Sequence, residues 1–259
     1  MRHLPNLLTL ANLFCGCLAI VCVLNAQPFL YQTETGEWNW AYGVQQIQWG
    51  GILILLAAFF DLLDGWVARA LQVFSPIGKD LDSLADIVSF GVAPSVILYK
   101  LLWDAVAREP HVTDVDILSI APAFLVACFG ALRLARFNIT PAVKSSFTGM
   151  PIPAVGVLVA SFALMSWEDP ASWIIYIQNR WALYGIIAVL CYLMVSKFHF
   201  LKLVPAQWKL SHSWPQALLV VATLAAIPLF HFGAIPIAFV LYVLLSFVAP
   251  KNKVSESLQ

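Results

Sequence analysis

Apolar stretches long enough to cross a bilayer recur along this chain from one end to the other, and that recurrence leaves few folds open. A helix spanning the hydrocarbon core needs about 20 mostly apolar residues. Stretches of that kind, or close to it, run over 5–25, 50–72, 79–102, 117–137, 152–167, 181–198, 214–231 and 233–249. Inside a bilayer no water satisfies the backbone, so segments of this length must be helical. Only 11% of the residues are charged, against about a quarter in a soluble domain. The expected fold class is all-α: a polytopic transmembrane helical bundle of about eight spans, with seven also tolerable. The first stretch reads as a retained helix, because it is long for a signal peptide and Leu24 makes a poor −3 residue before Ala26. The last two meet at Phe232–Gly233, a turn tight enough to make them a helical hairpin.

Formal net charge is zero, so the placement of charge is what informs. With eight spans and a cytoplasmic N-terminus, every Lys and Arg except Lys100, Arg108 and Arg180 falls on the cytoplasmic side, as the positive-inside rule requires. Tryptophans such as Trp49, Trp103, Trp181 and Trp214 fall near span ends, where interfacial anchors sit. No basic stripe interleaved with aromatics points to nucleic acid. Cys15, Cys17, Cys22, Cys128 and Cys191 all lie in apolar stretches and read as small buried hydrophobes. The connection 26–48, aromatic and free of basic residues, is the longest on the outer side.

Against this background the acids near the end of the second stretch stand out. After Ile52–Phe60 come Asp61, Asp64, Gly65, Ala68 and Arg69; past Ser75–Gly78 come Lys79, Asp80, Asp82 and Asp86. An ionised side chain at the centre of a span costs about 2.5–3.5 kcal/mol even on insertion scales, so several together need a purpose. Asp61, Asp64, Gly65 and Ala68 share one helical face, and Gly78, Asp82 and Asp86 share a face of the next helix. A short turn makes the two helices neighbours, so four carboxylates converge near the cytoplasmic surface. Divalent cations relieve their repulsion: Mg²⁺ or Mn²⁺ prefers carboxylate oxygen and keeps positions open for phosphates. A two-metal carboxylate site suits displacement at phosphorus. Gly65, Ala68 and Gly78 would let a substrate approach the backbone, or equally let helices pack closely.

The pattern D-x2-D-G-x2-A-R-x8-G-x3-D-x3-D, complete from Asp61 to Asp86, resembles the signature of the CDP-alcohol phosphotransferase family. The resemblance implies two divalent metals, Mg²⁺ or Mn²⁺, on Asp61, Asp64, Asp82 and Asp86. It makes Asp86 the general base, and places a CDP moiety against Asp64, Gly65, Ala68, Arg69, Gly78 and Asp82. Further stretches resemble the membrane-embedded, serine-accepting branch of that family: Pro5–Thr9 with Asn12 and Gly16, Leu81–Asp86 with Val88–Pro94, Leu132–Asn138, and Gly149–Ala154. They imply CDP-diacylglycerol as donor, L-serine as acceptor, direct displacement, and a homodimer in a prokaryotic inner membrane, its site facing the cytoplasm. Residues 1–198 would form a six-helix catalytic core, 199–249 two additional spans, and 250–259 a cytoplasmic tail. Arg133 and Arg136, three apart on one face, would bind the acceptor carboxylate or a lipid phosphate, or simply mark topology. Asn138 and Thr9 would line the pocket, or cap and pack. Glycerol 3-phosphate, inositol phosphate and choline stay open as acceptors. A prenyltransferase fits less well, because its Asn-Asp-x-x-Asp pattern is absent. A cation-coupled transporter would more naturally show helices broken near the midplane.

Overall fold

The computed structural model describes residues 4–32, 36, 38–42, 44–72, 76–109, 114–139, 149–165, 179–198, 200 and 214–248. Arg2, Lys144, Lys202, Lys209 and the 250–259 tail, all used above to orient the chain, lie outside them. Helix α1 (Leu4–Leu24) is followed by two antiparallel strands, β1 (Pro28–Gln32) and β2 (Trp38–Tyr42), which pair Phe29 with Ala41 and Leu30 with Trp40. Then come α2 (Val44–Leu71) and α3 (Pro76–Asp86), which continues through a π-helical segment, Ile87–Val92, into α4 (Ala93–Ala107). Short α5 (Ile117–Ile120) and a 3-10 turn lead into α6 (Leu125–Ile139). Among the described residues, α7 (Ile152–Met165), α8 (Arg180–Val195), α9 (Trp214–Phe230) and α10 (Ala234–Val248) complete the order.

The bundle is helical, as its apolar pattern demands. Five helices among the described residues are long and apolar enough to cross a membrane: Leu4–Leu24, Gln45–Leu71, Ile77–Ala107, Ile117–Ile139 and Trp214–Phe247. Ile152–Met165 and Arg180–Val195 are apolar but shorter. The run Trp214–Phe247 is broken at a 3-10 turn, His231–Gly233, where His231 takes φ of 46°. Helix ends depart most from the expected spans at α2, which starts at Val44, and α4, which ends at Ala107. Gln45, Gln46 and Gln48 are good helix formers outside the apolar stretch. The i,i+4 pair between Arg108 Nε and Asp104 Oδ2, at 2.9 Å, prolongs α4. The connection 26–48 is no simple loop, since it holds the β1–β2 hairpin and the first turn of α2.

On the first helix, packing inverts the soluble pattern. On α1 the buried positions are Pro5, Thr9, Asn12, Cys15, Gly16, Ala19 and Val23, small or polar, while Leu7, Phe14 and Val21 are exposed. Lipid is as apolar as leucine, so helices associate through close van der Waals fit and hydrogen bonds. A Cβ on Gly16 would run into Ser89 of the π segment, and one on Gly51 would stand 2.9 Å from the Ala160 carbonyl oxygen. Helix α7, buried along nearly its whole length, forms the centre with α4.

Polar contacts define two ends. At one, Lys100 Nζ donates to the Ala26 carbonyl at 3.0 Å, beyond the C-terminus of α1. There too Arg180 Nε meets Glu109 Oε1 at 2.9 Å. Lys100, Arg108 and Arg180 therefore gather at the same end of the bundle, as the charge distribution anticipated. The aspartates lie at the other.

Candidate active site

Helix α2 carries Asp61, Asp64, Gly65, Ala68 and Arg69 in its last turns, and α3 carries Gly78, Asp82 and Asp86. Carboxylate oxygens of Asp61, Asp64 and Asp82 all lie within 4.8 Å of one another. Asp86 stands outside that trio but beside it, one turn beyond Asp82 on the same helix. Asp64 and Asp86 are buried, at 6% and 8% exposed. Among the described residues, no lysine or arginine forms an ion pair with any of the four. Such a group is self-repelling unless something positive joins it.

The donor set fits a divalent cation of the Mg²⁺ or Mn²⁺ class. It is made of hard carboxylate oxygens, with no thiolate or imidazole in the group. Asp82 Oδ1 is buried and has no hydrogen-bond partner, which leaves it open to bond a metal. Asp61, Asp64 and Asp82 would hold such an ion.

The residues expected to face a CDP moiety line the same end. The Arg69 guanidinium folds back over Gly65, where a Cβ would meet its nitrogens at 3.5 and 3.9 Å. Arg69 itself is exposed, and Gly65, Ala68 and Gly78 are half-buried. The structure thus sets a cation and three positions with little side-chain bulk beside the carboxylates.

Helix α6 brings the acceptor candidates. Arg133 is half-buried, within electrostatic range of Asp86 and Tyr242, and its Nε makes no hydrogen bond. Arg136, three residues on, is exposed. Asn138 donates from Nδ2 to Ser83 Oγ at 2.9 Å, and its main-chain carbonyl accepts from Lys79 Nζ at 3.4 Å. Asn138 therefore ties the end of α6 to α3 next to Asp82, with Oδ1 left unpartnered.

Helix α1 contributes two residues for which the sequence offered little or no role. The Thr9 hydroxyl donates to Asp64 Oδ2 at 2.7 Å and also approaches the Pro5 carbonyl at 3.1 Å. Asn12 Nδ2 donates to Asp86 Oδ1 at 3.5 Å. A signal was available: two polar residues three apart in an apolar span share a face and, at such depth, read as functional.

The family model described as CDP-alcohol phosphatidyltransferase matches residues 2–191. An archaetidylserine synthase of Methanothermobacter thermautotrophicus is 34% identical over 171 residues, 65% of this chain and 61% of the relative. A CDP-diacylglycerol–serine O-phosphatidyltransferase of Helicobacter pylori is 33% identical over 208 residues, 80% of this chain and 75% of the relative. Its namesake in Bacillus subtilis is 32% identical over 200 residues, 77% and 90%. The chain spans under two thirds of the archaeal relative's length and most of the two bacterial ones. With the aspartate pattern complete inside the matched region, this chain belongs to the CDP-alcohol phosphatidyltransferase family.

Proposed function

We propose that this protein is a membrane phosphatidylserine synthase, which moves the phosphatidyl group of CDP-diacylglycerol onto the hydroxyl of L-serine and releases CMP. One observation carries the reading: Asp61, Asp64 and Asp82 converge to within 4.8 Å with Asp86 beside them. Serine is common to the names of the relatives above.

The serine hydroxyl attacks the phosphorus that bears the diacylglycerol, its proton passes to Asp86, and the bond from that phosphorus to CMP breaks. A carboxylate held at the hydroxyl can take this proton in the transition state, where the alcohol alone is a poor nucleophile. Divalent ions held by Asp61, Asp64, Asp82 and Asp86, two in the full site, would supply neutralisation of the pyrophosphate charge. Arg69, lying over Gly65, offers its guanidinium to the CDP phosphates. Arg133, in range of Asp86, receives the serine carboxylate in this reading. Asn138 keeps α6 and α3 together around that position. The donor's acyl chains stay in the bilayer while its headgroup enters the cleft.

The broader setting is part of the proposal. Eight spans put both termini and the site on the cytoplasmic side of a prokaryotic inner membrane. Residues 1–198 form the catalytic core, and 199–249 two further spans; the family match ends at residue 191. The protein works as a homodimer. The test is CMP release by purified protein with CDP-diacylglycerol and Mn²⁺ or Mg²⁺, each acceptor added separately. Release that requires serine, forms phosphatidylserine and vanishes in Asp86→Asn is the expected result. Release only with glycerol 3-phosphate, inositol phosphate or choline overturns the acceptor.

A further inference from the structure

Helix α1 carries none of the motif's residues, yet Asn12 sits against the base. The side chain is wholly buried, at 0% exposed. Its Nδ2 points at Asp86 Oδ1, and its main-chain carbonyl accepts from Ser89 Oγ at 3.0 Å. Helix and π segment are pressed together there, because a Cβ on Gly16 would meet Ser89. Asn12 Oδ1, the other arm of the same carboxamide, is buried and has no hydrogen-bond partner. Buried polar atoms are nearly always satisfied, and an acceptor left bare carries its full desolvation penalty.

We propose that Asn12 is a specificity-determining residue for the acceptor, its Oδ1 receiving an N–H from the acceptor's ammonium group while its Nδ2 holds Asp86. The inference rests on the serine reading and deepens it. An amide oxygen accepts only from a donor, so this position rejects a carboxylate or phosphate and welcomes an ammonium. In serine the hydroxyl and ammonium sit on adjacent carbons. A hydroxyl at Asp86 therefore brings the ammonium to the neighbouring arm of the amide, and the carboxylate remains for Arg133. Thr9, three residues earlier on the same face, fixes Asp64 and so keeps this edge of α1 in register.

The experiment compares L-serine with 3-hydroxypropionate, which keeps hydroxyl and carboxylate but lacks the ammonium. CMP release is measured with KM and kcat resolved for each. Wild type should strongly prefer serine. In Asn12→Ala the KM for serine should rise about 10–100-fold, the worth of a charge-assisted hydrogen bond. The KM for 3-hydroxypropionate should stay in place, while kcat falls for both as Asp86 loses its donor. Asn12→Asp keeps an oxygen acceptor and should retain the preference; it decides the question should the alanine variant fail to fold, as judged by its melting temperature, and loss of the preference in it overturns the inference. A kcat loss alone, with discrimination intact in Asn12→Ala, also overturns the inference and leaves Asn12 as a support for Asp86. Wild type that uses a phosphorylated acceptor and not serine overturns the serine reading itself, and is seen before any variant is made.

Discussion

Removing one carboxylate from the Asp61, Asp64 and Asp82 group should act in opposite directions on metal-free and metal-loaded protein. Without metal, like charges within 4.8 Å repel by about 1 kcal/mol or more per pair after screening. Asp82→Asn should therefore raise the melting temperature in EDTA by a few degrees. It should also cancel most of the stabilisation that Mn²⁺ gives wild type, about 2–3 kcal/mol at a hundredfold excess over Kd, and lower activity about a hundredfold or more. Differential scanning fluorimetry with and without Mn²⁺ checks the first two, and CMP release the third. Thr9→Val, which removes the donor from Asp64, should weaken Mn²⁺ binding about 10–100-fold; Thr9→Ser should restore it, read by an electron paramagnetic resonance titration. The aspartates were legible in sequence because an ionisable residue in a span has few other reasons to be there. The partners of Thr9 and Asn12 were not, since helical spacing gives a face but not the neighbour it meets. Arg133 and Arg136 show the same gap. Three residues place them about 60° apart, enough at the bundle's edge for one to be half-buried within electrostatic range of Asp86 and the other to lie exposed.

At the scale of elements, the π segment Ile87–Val92 is what the apolar pattern hid. The stretch 79–102 reads as one uninterrupted helix, but Pro94 has no N–H for the Phe90 carbonyl, and its ring would clash with that oxygen. The Ala93 N–H bonds the Val88 carbonyl instead. This five-residue step widens the turn and restarts α4 with Pro94 in its first turn, where proline is tolerated. The detour carries Ser89 onto α1, immediately after Asp86. Packing at Gly16 should then be coupled to catalysis. Gly16→Ala should lower both thermal stability and turnover. Ser89→Ala in the same chain should recover part of each, because it removes the nearest atom, Ser89 Oγ. Recovery should be incomplete, since the Ser89 Cα would still stand 2.8 Å from the new methyl. A double-mutant cycle on melting temperature and kcat measures that coupling. Fully additive effects would mean that α1 and the π segment do not act on the site together.

For the whole molecule, the apolar pattern made the helices legible but left open how many of them cross. Each expected stretch coincides with a helix, because a bilayer permits little else. Helices α7 and α8 are nonetheless short for a span, and Trp214–Phe247 forms one apolar run with a break in it. The break is physical: His231 in the left-handed region cannot continue an α-helix. Helices α9 and α10 contact each other across it, α10 also packs on α7, and its buried Tyr242 stacks on Phe200 at 5.9 Å between ring centroids. That packing gathers α10 into the core, and it brings Tyr242 into range of Arg133 beside the site. Lys100, Arg108 and Arg180 lie together at the far end from the aspartates, so the proposed cytoplasmic position of the aspartate end is the one that the positive-inside rule favours. With eight spans the C-terminus shares that side; with seven it does not. Green fluorescent protein fused after Gln259 should therefore fluoresce, while alkaline phosphatase at the same position should be inactive and the same phosphatase inserted after Glu109 active. Phosphatase activity at Gln259 would make the C-terminal run a single crossing and remove the hairpin. Activity at Gln259 together with inactivity at Glu109 would invert the bundle and place the carboxylates outside.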